Sequence, residues 1–311
     1  MSEILFEQTS FLSADGKTPV AAYFWWNEAV KPRAIIQLSH GMCEYITRYE
    51  AWAHRFAEKG FVFCGNDHLG HGNTAQSKDE LGFMATRGGA ELLVEDTHKM
   101  TLLAKEKFPD LPLVLYGHSM GSFVARAYLT RYGNELAGAL ISGTAGPGQP
   151  TGMGRKLAHV TEKVRGDHHR SKFLTAMAFG SYNKKFGKEK SLFSWLTRDE
   201  GVRASYAQDP FCTFVFTAAG YDTLFSLLGE VSDKRWANEV PKALPILLFA
   251  GDMDPVGAYG KGVRKVYDRL LAAGCSVQLQ LYKGGRHEMH NEINKDEVFG
   301  DLITYLEEIL K

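Results

Sequence analysis

The pentapeptide Gly117-His118-Ser119-Met120-Gly121 stands between an apolar run at 113–116 and a helix-like stretch at 123–132. This is the G-x-S-x-G pattern of a sharp strand-to-helix turn. A serine at such a turn sits on strained backbone, and small residues two positions away on each side avoid clashes with the strand and the helix. Its hydroxyl is thereby lifted clear of the sheet edge. A serine hydroxyl is a weak nucleophile at neutral pH, so it needs a base, an acid that orients the base, and donors for the oxyanion that develops on a carbonyl. Each has a candidate just after a strand-like run: His40-Gly41-Met42 after 34–38, Asp252 and Asp254 after 246–250, and His287 after 277–282.

In a parallel sheet the strand ends share one edge, where ligand sites form, so residues more than two hundred positions apart can meet. The chain order Ser, Asp, His is also the one expected of a hydrolase built this way. We expect Ser119 as nucleophile and His287 as proton carrier, with the backbone N–H groups of Met42 and Met120 as oxyanion donors. Two aspartates compete for the third role. Pro255 restricts the backbone of the residue before it, which favours Asp254 and leaves Asp252 as a loop carboxylate with local hydrogen bonds. His290, three residues beyond His287, is expected to be structural or pocket-lining, and His40 and His118 to pack and hydrogen-bond.

The elements that must position these groups follow from periodicity. Apolar runs at 21–26, 34–38, 61–65, 113–116, 139–142, 246–250 and 277–282 are strand candidates, and amphipathic stretches at 49–59, 89–108, 123–132 and 263–273 are helix candidates. Strand and helix in alternation imply a mostly parallel sheet covered on both faces. For the run at 21–26 the alternative to a place in the parallel sheet is an antiparallel hairpin edge with residues 4–6. After residue 142 a glycine- and proline-rich stretch, 143–154, breaks the rhythm, and strands resume near 245. The division expected is a core of 1–145 and 241–311 with a helical insertion at 146–240 that caps the sheet.

Composition narrows the function. The 36 basic and 36 acidic residues cancel without a block of like charge, which argues against a nucleic-acid face or a polybasic anchor. Cys43, Cys64, Cys212 and Cys275 lie far apart and are expected to be reduced and partly buried. Asp67, His68 and His71 lack further ligands at zinc spacing, so a hydrogen-bonded loop buttressing the site is expected rather than a metal. Gly16-Lys17-Thr18 ends like a phosphate loop, but Phe11 occupies the place of its first glycine. Residues 1–10 carry glutamates and no secretory pattern, and the expectation is a cytoplasmic location.

His40-Gly41-Met42 with Glu44 and Arg48-Tyr49, the segment Asp67-His68-Leu69-Gly70-His71-Gly72, the serine turn, 251–256, and Gly285-Arg286-His287-Glu288 together resemble the monoacylglycerol lipase and lysophospholipase-like branch of the α/β-hydrolases, sometimes grouped with serine aminopeptidases. Asp209-Pro210 is similar to a cap element of that branch. The resemblance spans nearly the whole chain. It implies an α/β-hydrolase fold with a helical cap, no cofactor, Asp254 as the triad acid from the spacing Gly251-x-x-Asp254, and hydrolysis of monoacylated lipids or other small esters. The partner expected is a small lipid-like ester, with transient contact of the cap with a membrane surface. Amide or peptide hydrolysis by the same triad, and a non-catalytic binding protein of the same fold, are the other readings. The cap aromatics Phe211, Phe214, Phe216, Tyr221 and Phe225, in an apolar run at 211–228 that is expected to form a helix beside the entrance, serve either as cap core or as acyl-pocket wall.

Overall fold

The apolar runs form an eight-stranded sheet in a computed structural model that describes residues 4–189 and 191–311. The strands are β1 (Ile4–Leu12), β2 (Pro19–Asn27), β3 (Ala34–Ser39), β4 (Phe61–Asn66), β5 (Leu113–His118), β6 (Gly138–Ser142), β7 (Ile246–Gly251) and β8 (Val277–Tyr282). Their order is β1-β2-β4-β3-β5-β6-β7-β8. β1 and β2 form an antiparallel hairpin, β2 meets β4 antiparallel, and every later pairing is parallel. Gly16-Lys17-Thr18 is the turn of that hairpin, closed by the Asp15 carboxylate, which accepts from the N–H groups of Lys17 and Thr18 at 2.8 Å each.

β3 to β7 are buried along their whole length, as strands covered on both faces must be, whereas the edge strand β8 alternates. One face is covered by α1 (Glu50–Glu58) and α9 (Lys295–Ile309), through Trp52, Phe56, Val298, Phe299, Leu302 and Leu306. The other carries α2 (Gly89–Lys107), α3 (Met120–Tyr132) and α8 (Lys261–Ala272). α9 is a core helix absent from the strand–helix rhythm above, although its buried positions recur at helical spacing.

Between β6 and β7 the single crossover helix of a simple α/β unit is replaced by a helical cap: α4 (Thr151–Arg165), α5 (Lys172–Phe179), α6 (Glu200–Gln208) and α7 (Ala218–Ser232). α7 packs on α4 and on α3. The fully buried guanidinium of Arg126, on α3, gathers the two ends of the insertion, donating to Ala145 O at 3.0 Å and Val231 O at 2.5 Å while lying 4.4 Å over the Trp236 ring. The run 211–228 is not one helix. The Thr217 hydroxyl accepts the N–H of Gly220 at 3.0 Å and caps α7 there, so the residues before it are non-helical. Among the described residues no helix is long and apolar enough to cross a membrane.

Candidate active site

The parallel register brings the carboxyl ends of β3, β5, β6, β7 and β8 level, pairing Ser39 with Gly117, His118 with Ser142, and Gly251 with Tyr282. Ser119 follows β5 with φ 53° and ψ −120°, a conformation that costs a non-glycine residue about 1–3 kcal/mol. The two flanking glycines are required by space. A Cβ at Gly117 would lie 2.6 Å from Ala125 Cβ, and one at Gly121 would overlap the carbonyl oxygens of Ser39 and His40. The turn is thus wedged between its own helix and the end of β3.

His287 Nε2 lies 2.8 Å from Ser119 Oγ, and His287 Nδ1 lies 3.0 Å from Asp254 Oδ2. The other Asp254 oxygen accepts the N–H of Val256 at 2.9 Å, which sets the carboxylate direction. Asp252 is not part of this chain of contacts; its Oδ1 accepts from Gly284 N at 2.7 Å and shapes the histidine loop. Burial opposes protonation of His287, but the charge and hydrogen bond of Asp254, with Glu288 and Glu44 nearby, outweigh it and raise the imidazole above its ordinary value. His118 lies 4.8 Å from the His287 ring and is held neutral, first by burial and then by His287 and His290. His290 stacks on Tyr49 at 4.3 Å.

The loop after β3 abuts the serine, for a Cβ on Gly41 would come 2.9 Å from Ser119 Cβ. Among the described residues the N–H groups of Met42 and Met120 have no internal acceptor, and both residues line the cavity at Ser119. Glu44 holds this loop. Its Oε1 accepts from Gly41 N and, at 3.0 Å, from the Tyr49 hydroxyl, while its Oε2 meets Arg48 at 2.8 Å. Arg48 also grips both oxygens of Glu288 at 3.1 Å, so one guanidinium joins the β3 loop to the residue after His287. Burial and Glu288 raise the Glu44 carboxyl, whereas Arg48, His290 and Asn291 lower Glu288 against its burial. The types of Glu44, Arg48 and Glu288 are visible in the sequence; their meeting across 240 positions is not.

The segment at 67–72 buttresses the same loop. Asp67 accepts from Ile46 N, Tyr23 Oη and Asn73 N at 2.8, 2.9 and 2.8 Å, and burial raises its carboxyl to about 6. His40 Nε2 accepts the N–H of His68 at 2.9 Å, and His68 Nε2 meets Ser39 Oγ at 3.0 Å. From the cap side, Trp195 lays its ring 5.0 Å from that of His287, its carbonyl accepts His287 N at 3.4 Å, and Leu196 O accepts Glu288 N at 2.7 Å. Arg286 locks this contact through a two-pronged ion pair with Glu189 and a bond to Ser194 O. Backbone contacts of this kind leave no mark in the sequence.

Above Ser119 lies a cavity of about 590 Å³ with walls from Met42, Phe123, Trp195, Tyr206, Phe225 and Leu228. The cap aromatics divide. Phe214, Tyr221 and Phe225 line the cavity, Phe216 is cap core, and Phe211 borders a neighbouring cavity.

Residues 30–294 match the family model described as serine aminopeptidase, S33. The chain belongs to this family. A thermostable carboxyl esterase from Bacillus coagulans, solved in complex with glycerol, superposes with a TM-score of 0.92 at 32% identity, covering 98% of this chain and 99% of that one. The monoacylglycerol lipase of Mycolicibacterium smegmatis is 29% identical over 287 residues, 91% of each chain, and the human monoglyceride lipase is 26% identical over 285 residues, 91% of this chain and 84% of its own. The S33 chain described here is an α/β-hydrolase and a carboxylic ester hydrolase.

Proposed function

We propose that this enzyme hydrolyses monoacylated lipid esters of the monoacylglycerol kind through an acyl-enzyme on Ser119. The observation that carries the proposal is the continuous contact from Asp254 through His287 to Ser119 Oγ at the floor of a largely apolar cavity. Its 590 Å³ falls within the range of about 300–1,000 Å³ typical of small-molecule sites. The names of the relatives point the same way.

In this mechanism His287 Nε2 takes the Ser119 proton as Oγ attacks the ester carbonyl, and Asp254 holds the imidazole tautomer and favours the imidazolium. The tetrahedral oxyanion is received by the N–H groups of Met42 and Met120, each worth about 3 kcal/mol of transition-state stabilisation. Collapse expels the alcohol, which takes the proton back from His287. Water, activated by the same imidazole, then releases the fatty acid. Every step uses groups of this chain and water.

The cap is assigned to 146–240, with 1–145 and 241–311 as the core. Transient membrane contact belongs to α4 and its neighbours rather than to 211–228, because Met153, Val160, Val164, Phe173 and Leu192 are the large apolar residues that the cap exposes most, with Lys156, Lys163 and Arg165 beside them.

The test is intact mass of the enzyme during turnover of 1-lauroylglycerol, alongside steady-state rates on aminoacyl amides. A lauroyl adduct on the wild type, its absence in Ser119→Ala, and a drop in turnover of roughly a millionfold in that variant are expected. Faster cleavage of amides than of monoacyl esters would move the reading to the peptidase side of the family.

A further inference from the structure

A second cavity, of about 650 Å³, lies beside the first and shares Thr175, Ala176, Phe214 and Val215 with it. Its floor is apolar, from Leu81, Pro210, Phe211, Phe214 and Val215, and its polar side consists of Lys78, Asp79, Arg170 and Lys172. Arg170 is a structural cation. Its guanidinium donates to the carbonyls of Leu81 at 2.8 Å, Asp79 at 3.0 Å and Lys78 at 3.4 Å on the core side, and to Val215 on the cap side. It therefore contributes charge while its bonds are spent on backbone.

The two lysines differ from it. Among the described residues the lysines in ion pairs are Lys105 and Lys107, and the exposed ammonium groups of Lys78 and Lys172 belong to none. Three cations and one carboxylate thus face an apolar trench. A neutral glycerol ester offers such lysines nothing that water does not. An anion on a hydrocarbon chain satisfies both sides at once. The wall between the cavities is also tied to the loop that carries Met42, since Cys43 Sγ donates to Phe214 O at 3.3 Å, and it is braced within the cap by the Tyr221 hydroxyl, which donates to Thr175 Oγ1 at 2.9 Å.

We infer that this second cavity binds a fatty-acid anion, its carboxylate between Lys78 and Lys172 and its chain along Phe211, Phe214 and Val215. The choice of a carboxylate rests on the ester reading above, in which a fatty acid is released on the far side of the shared wall. The site receives that acid outside the acyl cavity and leaves Ser119 free for the next ester.

The experiment is calorimetric titration of the Ser119→Ala protein with dodecanoate, dodecyl phosphate and 1-lauroylglycerol, repeated with Lys78→Gln and Lys172→Gln added together. Both substitutions are on exposed residues, and melting temperatures report whether the fold is kept. The expected result is a dodecanoate Kd raised roughly tenfold by the double change, with a 1-lauroylglycerol Kd altered less than about twofold. Raising salt from about 0.02 M to about 0.3 M should weaken dodecanoate in the parent and much less in the double variant. Equal dodecanoate affinity in the two proteins, an equal loss for 1-lauroylglycerol, or lysine-dependent binding of dodecyl phosphate alone would each overturn the assignment. Turnover of 1-lauroylglycerol by the wild type is read separately. If that turnover is absent while dodecanoate still binds through the lysines, the ester reading falls and the anion site stands.

Discussion

The backbone N–H of Glu288 donates to the carbonyl oxygen of Leu196 at 2.7 Å, so the main chain just after His287 is hydrogen-bonded to the cap while the Glu288 side chain is held by Arg48 of the core. Arg286 and Glu189 hold that contact closed from the flank. Arg286→Ala should lower both melting temperature and kcat. Glu189 is about one-third exposed, so the stability loss belongs at the low end for a broken partly buried pair, about 2 kcal/mol, or a few degrees in Tm. The rate should fall at least about tenfold, a displacement of the imidazole being enough to cost that much. Arg286→Lys keeps the charge but loses the fork, and should fall between. A drop in Tm with kcat unchanged would show that the contact serves the cap alone.

Asp254→Asn should reduce kcat by about ten-thousandfold, because an amide beside Nδ1 favours the wrong tautomer. Asp252→Asn should cost far less. The Asp252 side chain receives an N–H from Gly284, and an asparagine oxygen accepts it equally well. Rates of the two variants on one short-chain ester decide the matter, and the reverse ranking would reassign the acid.

The pH dependence follows from the raised imidazole. The proposed mechanism needs His287 neutral in the free enzyme, so the rising limb of kcat/KM should lie above pH 6.5, the ordinary histidine value. Glu288→Gln removes one of the charges that raise it and should move the limb to lower pH. The same shift acts on stability: the contribution of protonated His287 is fully present below the unfolded value and is lost as pH rises through the raised folded one. A rate profile from about pH 5 to about pH 9 checks both enzymes, and a wild-type limb below 6.5 would contradict the electrostatic reading.

Phe225 is a wall of the main cavity with its back against α4, where a Cβ on Gly154 would lie 2.9 Å from the ring. Each methylene added to the acyl chain should strengthen transition-state binding by about 0.8 kcal/mol until the cavity is full. Phe225→Ala should flatten that series for long chains and leave acetyl ester cleavage nearly intact. The measurement is kcat/KM across a monoacyl ester series, with Tm alongside. Equal losses at every chain length, with a large fall in Tm, would make the ring cap core instead.

The strands at the centre of the sheet were legible because burial on both faces leaves near-continuous apolar runs such as Ile246–Gly251, and the serine turn because sterics admit little besides glycine at 117 and 121. The limits were physical as well. Helical period in α9 is spread over charged positions that cover its outer face, and the apolar run at 211–228 hides the Thr217 cap that divides it. Pro255 and the spacing Gly251-x-x-Asp254 favoured Asp254 over Asp252 in the sequence, but the partner that Asp252 holds instead, the N–H of Gly284, carries no signal there. The contacts of Trp195 and Leu196 with the histidine loop are made by carbonyl oxygens, which every residue has.

The positive φ of Ser119 means that the reactive turn is also a place where the fold gives up stability. The conformation is one that glycine occupies without penalty, so Ser119→Gly, which removes the hydroxyl proposed as the nucleophile, should leave a protein more stable than Ser119→Ala and than the wild type, by about 1–3 kcal/mol. Selection for folding alone would thus erase the hydroxyl. On the proposed role of Ser119, durability and turnover pull against each other at this position, and a search for heat-resistant variants that does not also screen for hydrolysis should drift toward inactive chains there.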